Sequence, residues 1–493
     1  MRGHRRRDVG VERRRGVFGG LVGVGVVCGA VAVLVALLAG GVAGAAAGCR
    51  QTTVVGVAHQ DDDLLFINPD TARDYRAGRC LVVVYLTTGD DGLDKGYWFS
   101  REQGVQQAYA AFAGVPNVWT SSNVMVNGRT LHSDSLSVVG SSKPGIQLVF
   151  LRLPDGFPQG GGSKAYGYQS LLKLYTGKIS RIVADDHSSG YTSRGLLNTL
   201  TSLLLRFKPT TVRTLDYYNT VLDYSITEPV DHSDHSITAR YFREAVLKAQ
   251  VKLPKLQLAA YEGYSIALRP PNLPESVEEF KETVFRNYVS HEQRGDGACR
   301  AVNCPVFTAP LDEDYALWVK RFYPRLNPVP ARGTLVSWMG ATDHGNTYLK
   351  VGRCLERGSS GRVTVDACFP KETKQQWQFD GGVLRDPAGG GCLLATAIPR
   401  TGSCTTSAAR HWRVTSLRQL QSRGRCLSQD DLILRHARLR FVRCDVTSPS
   451  QRWFVAKNIL AQTHRSSTNP SGRSAPHPRS NQPNPTAPPA VTG

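Results

Sequence analysis

The sequence predicts an α/β domain, with a Rossmann-like, mainly parallel sheet and helices on both faces, followed by a separate all-β domain. Three observations carry that expectation. Between about Cys49 and Met339, short β-branched apolar runs alternate with amphipathic stretches of helical period. Acidic and histidine clusters fall just past the ends of several of those runs, where parallel sheets bind ligands. From residue 345 to 457 the text becomes a cysteine–leucine–tryptophan pattern that recurs three times. With 493 residues, 41% of them hydrophobic, the chain can fill two or three cores.

Residues 1–47 read as a targeting segment. Seven arginines in the first fifteen residues, against Asp8 and Glu12, precede an uncharged run from Val17 to Val42. The small residues near Ala47 suit cleavage of a signal peptide. Arg14-Arg15-Gly16-Val17-Phe18 resembles a twin-arginine export signal, and Ala46-Ala47-Gly48-Cys49 a lipoprotein box; the run also has the length of a membrane anchor. The expected location is therefore secreted or on the outer membrane face. Of the formal charge of +20, this segment carries a net +5, so the remainder is still basic, at about +15. That favours anionic surfaces such as cell wall or lipid headgroups. The arginines are scattered and form no nucleic-acid-binding module, so no nucleic-acid partner is expected.

The α/β domain is expected over 48–340. TTVVGVA (52–58), LVVVYLTT (81–88), IQLVFLRL (146–153) and TTVRTLDY (210–217) read as strands. Arg101–Val115, ending near Gly114, then Ser193–Arg206 and His235–Gln250 read as helices. Residues 345–457 hold the repeats. Cys354-Leu355, Cys392-Leu393 and Cys426-Leu427 each open a unit that closes on Trp377, Trp412 or Trp453. Units of this size cannot enclose a core alone, so the three are expected to pack about a pseudo-threefold axis. Eleven cysteines, ten of them outside the targeting segment, fit an oxidising compartment. The natural pairs lie within repeats: Cys354–Cys368, Cys392–Cys404 and Cys426–Cys444; proximity then pairs Cys299 with Cys304 and Cys49 with Cys80. Residues 458–493, dense in Pro, Ser and Asn, are expected to be disordered.

The repeats resemble ricin-B-type β-trefoil lectins, whose units carry Gln-x-Trp. Gln375 and Gln451 keep that glutamine, and Arg410 replaces it in the second unit. The resemblance implies a β-trefoil and makes carbohydrate a candidate partner of this domain.

The chemistry concentrates in His59-Gln60-Asp61-Asp62-Asp63 and Asp231-His232-Ser233-Asp234-His235. Adjacent carboxylates beside apolar runs are costly unless paired or bound to a cation. A catalytic zinc takes three protein ligands and one open position. His59 and Asp62 supply two, and His235 or His232 the third. Asp61 is then placed as general base, the remaining histidine polarises a carbonyl or protonates a leaving group, and Asp234 holds a histidine in its tautomer. Asp185-Asp186-His187 reads as surface or calcium-like.

The two motifs resemble those of the PIG-L/LmbE family of zinc-dependent de-N-acetylases, His-Pro-Asp-Asp-Glu and His-x-Asp-His. Here Gln60 stands for the proline and Asp63 for the glutamate. Leu86–Asp90, Arg101-Glu102 and Leu153–Gly156 follow in family order. The resemblance implies His59, Asp62 and His235 as ligands of Zn2+, or another divalent metal. It implies Asp61 as general base, His232 as oxyanion stabiliser, and Arg101 and Asp90 in the substrate pocket. The activity it implies is hydrolysis of a linear amide, removing acetyl from N-acetylglucosamine in a glycan, cell-wall or glycolipid substrate. Two other readings remain: a surface glycan-binding protein without turnover, and an amidase for a non-sugar amide.

Overall fold

The computed structural model describes residues 49–138, 142–218, 231–294, 298–343, 350–389, 391–431 and 438–467. The expected targeting segment lies outside the described residues. No helix among the described residues is long and apolar enough to cross a membrane.

The first part is a seven-stranded sheet. Its five parallel strands are β1 (Gln51–Val57), β2 (Arg79–Thr87), β5 (Ile146–Leu153), β6 (Thr211–Leu215) and β7 (Gln257–Tyr261). In space they run β5-β2-β1-β6-β7, so β1 sits in the middle. One edge carries an antiparallel hairpin, β3 (Trp119–Val126) and β4 (Arg129–Leu136). Asn127 and Gly128 turn it with φ of 48° and 69°, the left-handed pair that a two-residue hairpin requires.

The valine-rich strands are apolar on both sides because both faces are covered. Val55, Val57, Leu81 and Val83 face α1 (Lys95–Ala113) and α4 (Glu275–Glu292). Val54, Val82 and Val84 face α2 (Ser193–Phe207) and α3 (Ser233–Ala249). Helix α1 ends as expected at Gly114, left-handed at φ 61°, but starts six residues earlier than expected, where Asp94 accepts a hydrogen bond from the Tyr97 amide. This α/β part with helices on both faces matches the expected fold class.

The second part is all-β and begins earlier than expected. Strand β8 (Leu335–Asp343) pairs with Lys350–Arg357 and Trp453–Val455, so residues from Leu335 belong to the β domain rather than to the α/β part. Three four-stranded antiparallel sheets surround one core containing Trp377, Trp412 and Trp453. Each indole N–H donates to the carbonyl of the leucine after its repeat's first cysteine: Leu355 (2.9 Å), Leu393 (2.8 Å) and Leu427 (3.2 Å). This threefold equivalence is what the repeats predict, and the geometry is that of a β-trefoil. The five expected disulfides are all formed. The tail is not unstructured from residue 458. Helix α5 (Lys457–Ser467) returns to the trefoil, burying Ile459 and placing Asn458 and Gln462 to accept from the amides of Gly333 and Phe379. The apolar Ile-Leu pair at 459–460 offsets the polar composition that follows it.

Candidate metal centre

The site forms where β1 ends. His59 to Asp62 fold back over the strand end before a short π-helical turn, Asp63–Ile67. Asp62 fixes the bend: its Oδ2 accepts from the amides of Ala58 (3.0 Å) and His59 (2.8 Å). Its Oδ1 faces two histidines.

The second half arrives on α3, with His232 as the residue before its first turn. Gly56 lets that helix close on β1, because a Cβ there would lie 2.2 Å from the Phe242 ring. Closure brings His59 Nδ1 and His235 Nε2 to 3.1 Å of each other. Asp62 Oδ1 is 2.8 Å from His235 Nε2 and 3.5 Å from His59 Nδ1. A tetrahedral ion with bonds of roughly 2.0–2.2 Å holds ligand atoms roughly 3.3–3.6 Å apart, so this trio comes close to fitting one cation. Three other groups, His59–His232–His235, His59–Asp155–His232–Asp234 and His59–Asp61–Asp62, also have ligand atoms within 4.8 Å of one another.

The surroundings also fit a cation. Two ring nitrogens and a carboxylate oxygen facing one another need positive charge between them. Burial opposes that charge on His235, but Asp62 and Asp231 overcome it and lift His235 to about 9. His59 is likewise raised against burial by Asp62, and Asp62 itself, despite burial, is lowered by the two histidines. Asp231 Oδ1 lies 2.7 Å from His235 Nδ1, which assigns the proton there and turns Nε2 to the centre. Asp231 also accepts from the His232 amide, and a Cβ on Gly263 would sit 2.4 Å from its Oδ1. This orienting role falls to Asp231 and was missed in the sequence; its spacing, four residues before His235, was the available signal. Asp234 faces His59 instead, with Oδ2 3.7 Å from Nε2, and accepts from the Gly156 amide.

His232 points into the cleft. Its Nδ1 accepts from the Asp234 amide at 3.1 Å, so its proton sits on Nε2, 3.5 Å from Asp155 Oδ1. Burial, with His59 next, pushes His232 well below its ordinary value and keeps it neutral. Asp61 also lines the cleft, its Oδ1 3.1 Å from Arg101 Nη2. Arg101 is buried, donates to the Gly89 carbonyl and the Tyr288 hydroxyl, and lines the cleft. A Cβ on Gly89, left-handed at φ 56°, would press into that guanidinium.

Asp90 stands apart from the cleft lining. It is fully buried, accepting from the amides of Gly92 and Asp155 (each 2.7 Å), and shapes the loop rather than lining the cleft. The next residue, Asp91, with φ of 50°, lines it. The cleft has a volume near 440 Å³, and its outer wall adds Tyr264, Trp318, Glu292 and Arg294. Tyr264 stacks on Trp318 with ring centroids 4.5 Å apart. Glu292 is lifted to about 7 by burial against the pull of Arg101.

Residues 54–246 match the family described as PIG-L: GlcNAc-PI de-N-acetylase. They form a PIG-L-family domain. No curated protein matches the chain. Among solved structures, N,N'-diacetylchitobiose deacetylase from Pyrococcus horikoshii is similar at 14% identity and TM-score 0.28, over 50% of this chain and 71% of its own. The zinc-inhibited form of teicoplanin deacetylase Orf2 is similar at 16% identity and TM-score 0.25, over 48% and 83%. A non-toxic homologue of type II RIPs from Momordica charantia, in complex with α-methyl-D-galactoside, is similar at 14% identity and TM-score 0.20, over 24% of this chain and 45% of its own. This chain thus spans less than half of that last protein.

Within the PIG-L domain the two departures from the family motif point inward. Gln60 Nε2 donates to the Thr87 carbonyl at 3.2 Å. Asp63 accepts from the hydroxyls of Tyr85 and Tyr109 and is lifted by burial to about 7. Asp185 and Asp186 stand outside the centre, bonded to Thr88 (2.6 Å) and Arg152 (2.9 Å), with His187 in an exposed turn.

Proposed function

We propose that this protein is an exported, zinc-dependent hydrolase that removes the acetyl group from an N-acetylated amino sugar in a glycan or glycolipid. The observation that carries the reading is a three-atom cation trio beside a cleft lined by a carboxylate and a neutral imidazole donor. His59, Asp62 and His235 would hold the cation, and the nitrogen-and-oxygen donor set suits zinc. Zinc, when bound, supplies the Lewis acidity that brings a water's pKa toward neutrality.

The chain's own residues do the rest. Asp61, held by Arg101, takes a proton as water oxygen bonds to the acetamide carbonyl carbon. His232 donates its Nε2 proton as a hydrogen bond to the carbonyl oxygen as negative charge develops there. The C–N bond then breaks, Asp61 returns its proton to the leaving nitrogen, and acetate and a free amine depart. The aromatic wall of Tyr264 and Trp318 offers a sugar ring an apolar face. Export rests on the basic, apolar and small-residue sequence of residues 1–47.

Acetate release from N-acetylglucosamine oligomers, with equal free amine, tests the reading. It should disappear on chelation and return with zinc. Release that survives complete metal removal would refute it. His232→Ala should lower kcat by about 10²–10³ while zinc stays bound, as for loss of one oxyanion donor.

A further inference from the structure

The trefoil is joined to the helix that carries the second motif. Asp431, in the trefoil after strand Arg425–Gln429, is buried, and its Oδ2 accepts from Arg240 Nε of α3 at 2.9 Å. The Tyr175 hydroxyl donates to the same oxygen at 3.0 Å. Arg240, also fully buried, uses a second arm: its Nη1 lies 3.3 Å from the carbonyl of Ser236, the residue after His235. One turn on, Arg243 donates to the Trp338 carbonyl of β8 and lies over the Trp338 ring. One guanidinium therefore spans a trefoil carboxylate and the first turn of α3. A buried guanidinium needs such a partner, since an unpaired charge there is strongly unfavourable.

We propose that Asp431 is a positioning residue for the metal centre: through Arg240 and the Ser236 carbonyl it fixes the first turn of α3 and hence the direction of His235. The trefoil is then a built-in part of the site rather than a detachable carbohydrate tether. The metal-affinity part of this inference rests on the function proposed above; the order of the α3 turn does not.

The test uses the full chain with Asp431→Asn. Amide hydrogen exchange over residues 233–239 should accelerate by about ten-fold, and zinc affinity should fall by about ten-fold, the lower end of the loss seen when a ligand's support is removed. Asp386→Asn is the control: it breaks the pair of half-buried Arg357 with buried Asp386 inside the trefoil, away from α3. It should leave both readings at wild-type values even where it lowers the melting temperature. If Asp431→Asn matches Asp386→Asn in exchange over 233–239, the pair is merely structural and the proposal falls. Should Asp431→Asn not fold, Arg240→Lys keeps the charge but loses the second arm, and the same exchange comparison decides. A wild-type chain that binds no zinc would remove the metal reading and leave exchange to judge the latch.

Discussion

At the scale of single residues, the site separates atoms that face the centre from atoms that aim them. His59, Asp61 and Asp62 stood out in the sequence because charged side chains directly after an apolar strand have few structural uses, and His232 and His235 because they flank Asp234 just ahead of a helical stretch. Asp231 was not legible, since its role depends on which histidine nitrogen it meets, and that requires the 2.7 Å contact itself. Asp90 is buried in its own loop, and its neighbour Asp91 is the one that lines the cleft. These placements give a prediction of degree. Asp231→Ala should weaken zinc affinity by about 10–100-fold, because His235 loses the acceptor that fixes its tautomer. A competition titration with a chromophoric chelator measures it, and unchanged affinity would mean that Asp231 only supports the fold.

At the scale of elements, the sheet's centre was readable and its edges were not. The strands β1, β2, β5 and β6 stand out as apolar runs. In the hairpin β3–β4, β3 is largely solvent-exposed and β4 mixes polar residues among its buried ones, so only the Asn127-Gly128 turn announces it. Behind the cleft, α1 and α4 are tied through His291. Its Nε2 lies 2.9 Å from Gln107 Oε1, and Gln107 also accepts from the amide of Cys304. Burial, with Arg300 next, lowers His291 to about 4. The sign follows directly: a histidine depressed in the folded state must be neutral there, so its stabilisation is present above pH 6.5 and is lost as pH falls toward 4. The loss amounts to at most about 3 kcal/mol. Denaturant unfolding at pH 7 and pH 4.5 should show it in wild type and not in His291→Gln; equal acid sensitivity in both would assign it to other groups.

At the scale of the whole molecule, the repeats told more about architecture than about binding. Gln375 and Gln451, the glutamines of the Gln-x-Trp pattern, are buried and spend their amides on the carbonyls of Ala367 and Arg443, as framework. What no repeat could announce is the docking of the trefoil on α3, because Arg240 and Asp431 are 191 residues apart and unremarkable in isolation. The two domains thus meet at the helix that completes the candidate metal centre, and the proposed function stands on the chemistry of that centre. Its central claim is that Asp61 is the base beside a bound metal. The measurement that tests it most directly is acetate release by zinc-loaded Asp61→Asn beside wild type, on a panel of N-acetylglucosamine compounds, with zinc per chain determined for both. The account predicts one zinc in each and a rate lower by about 10²–10⁴ in the variant. Equal rates at equal zinc content would contradict it.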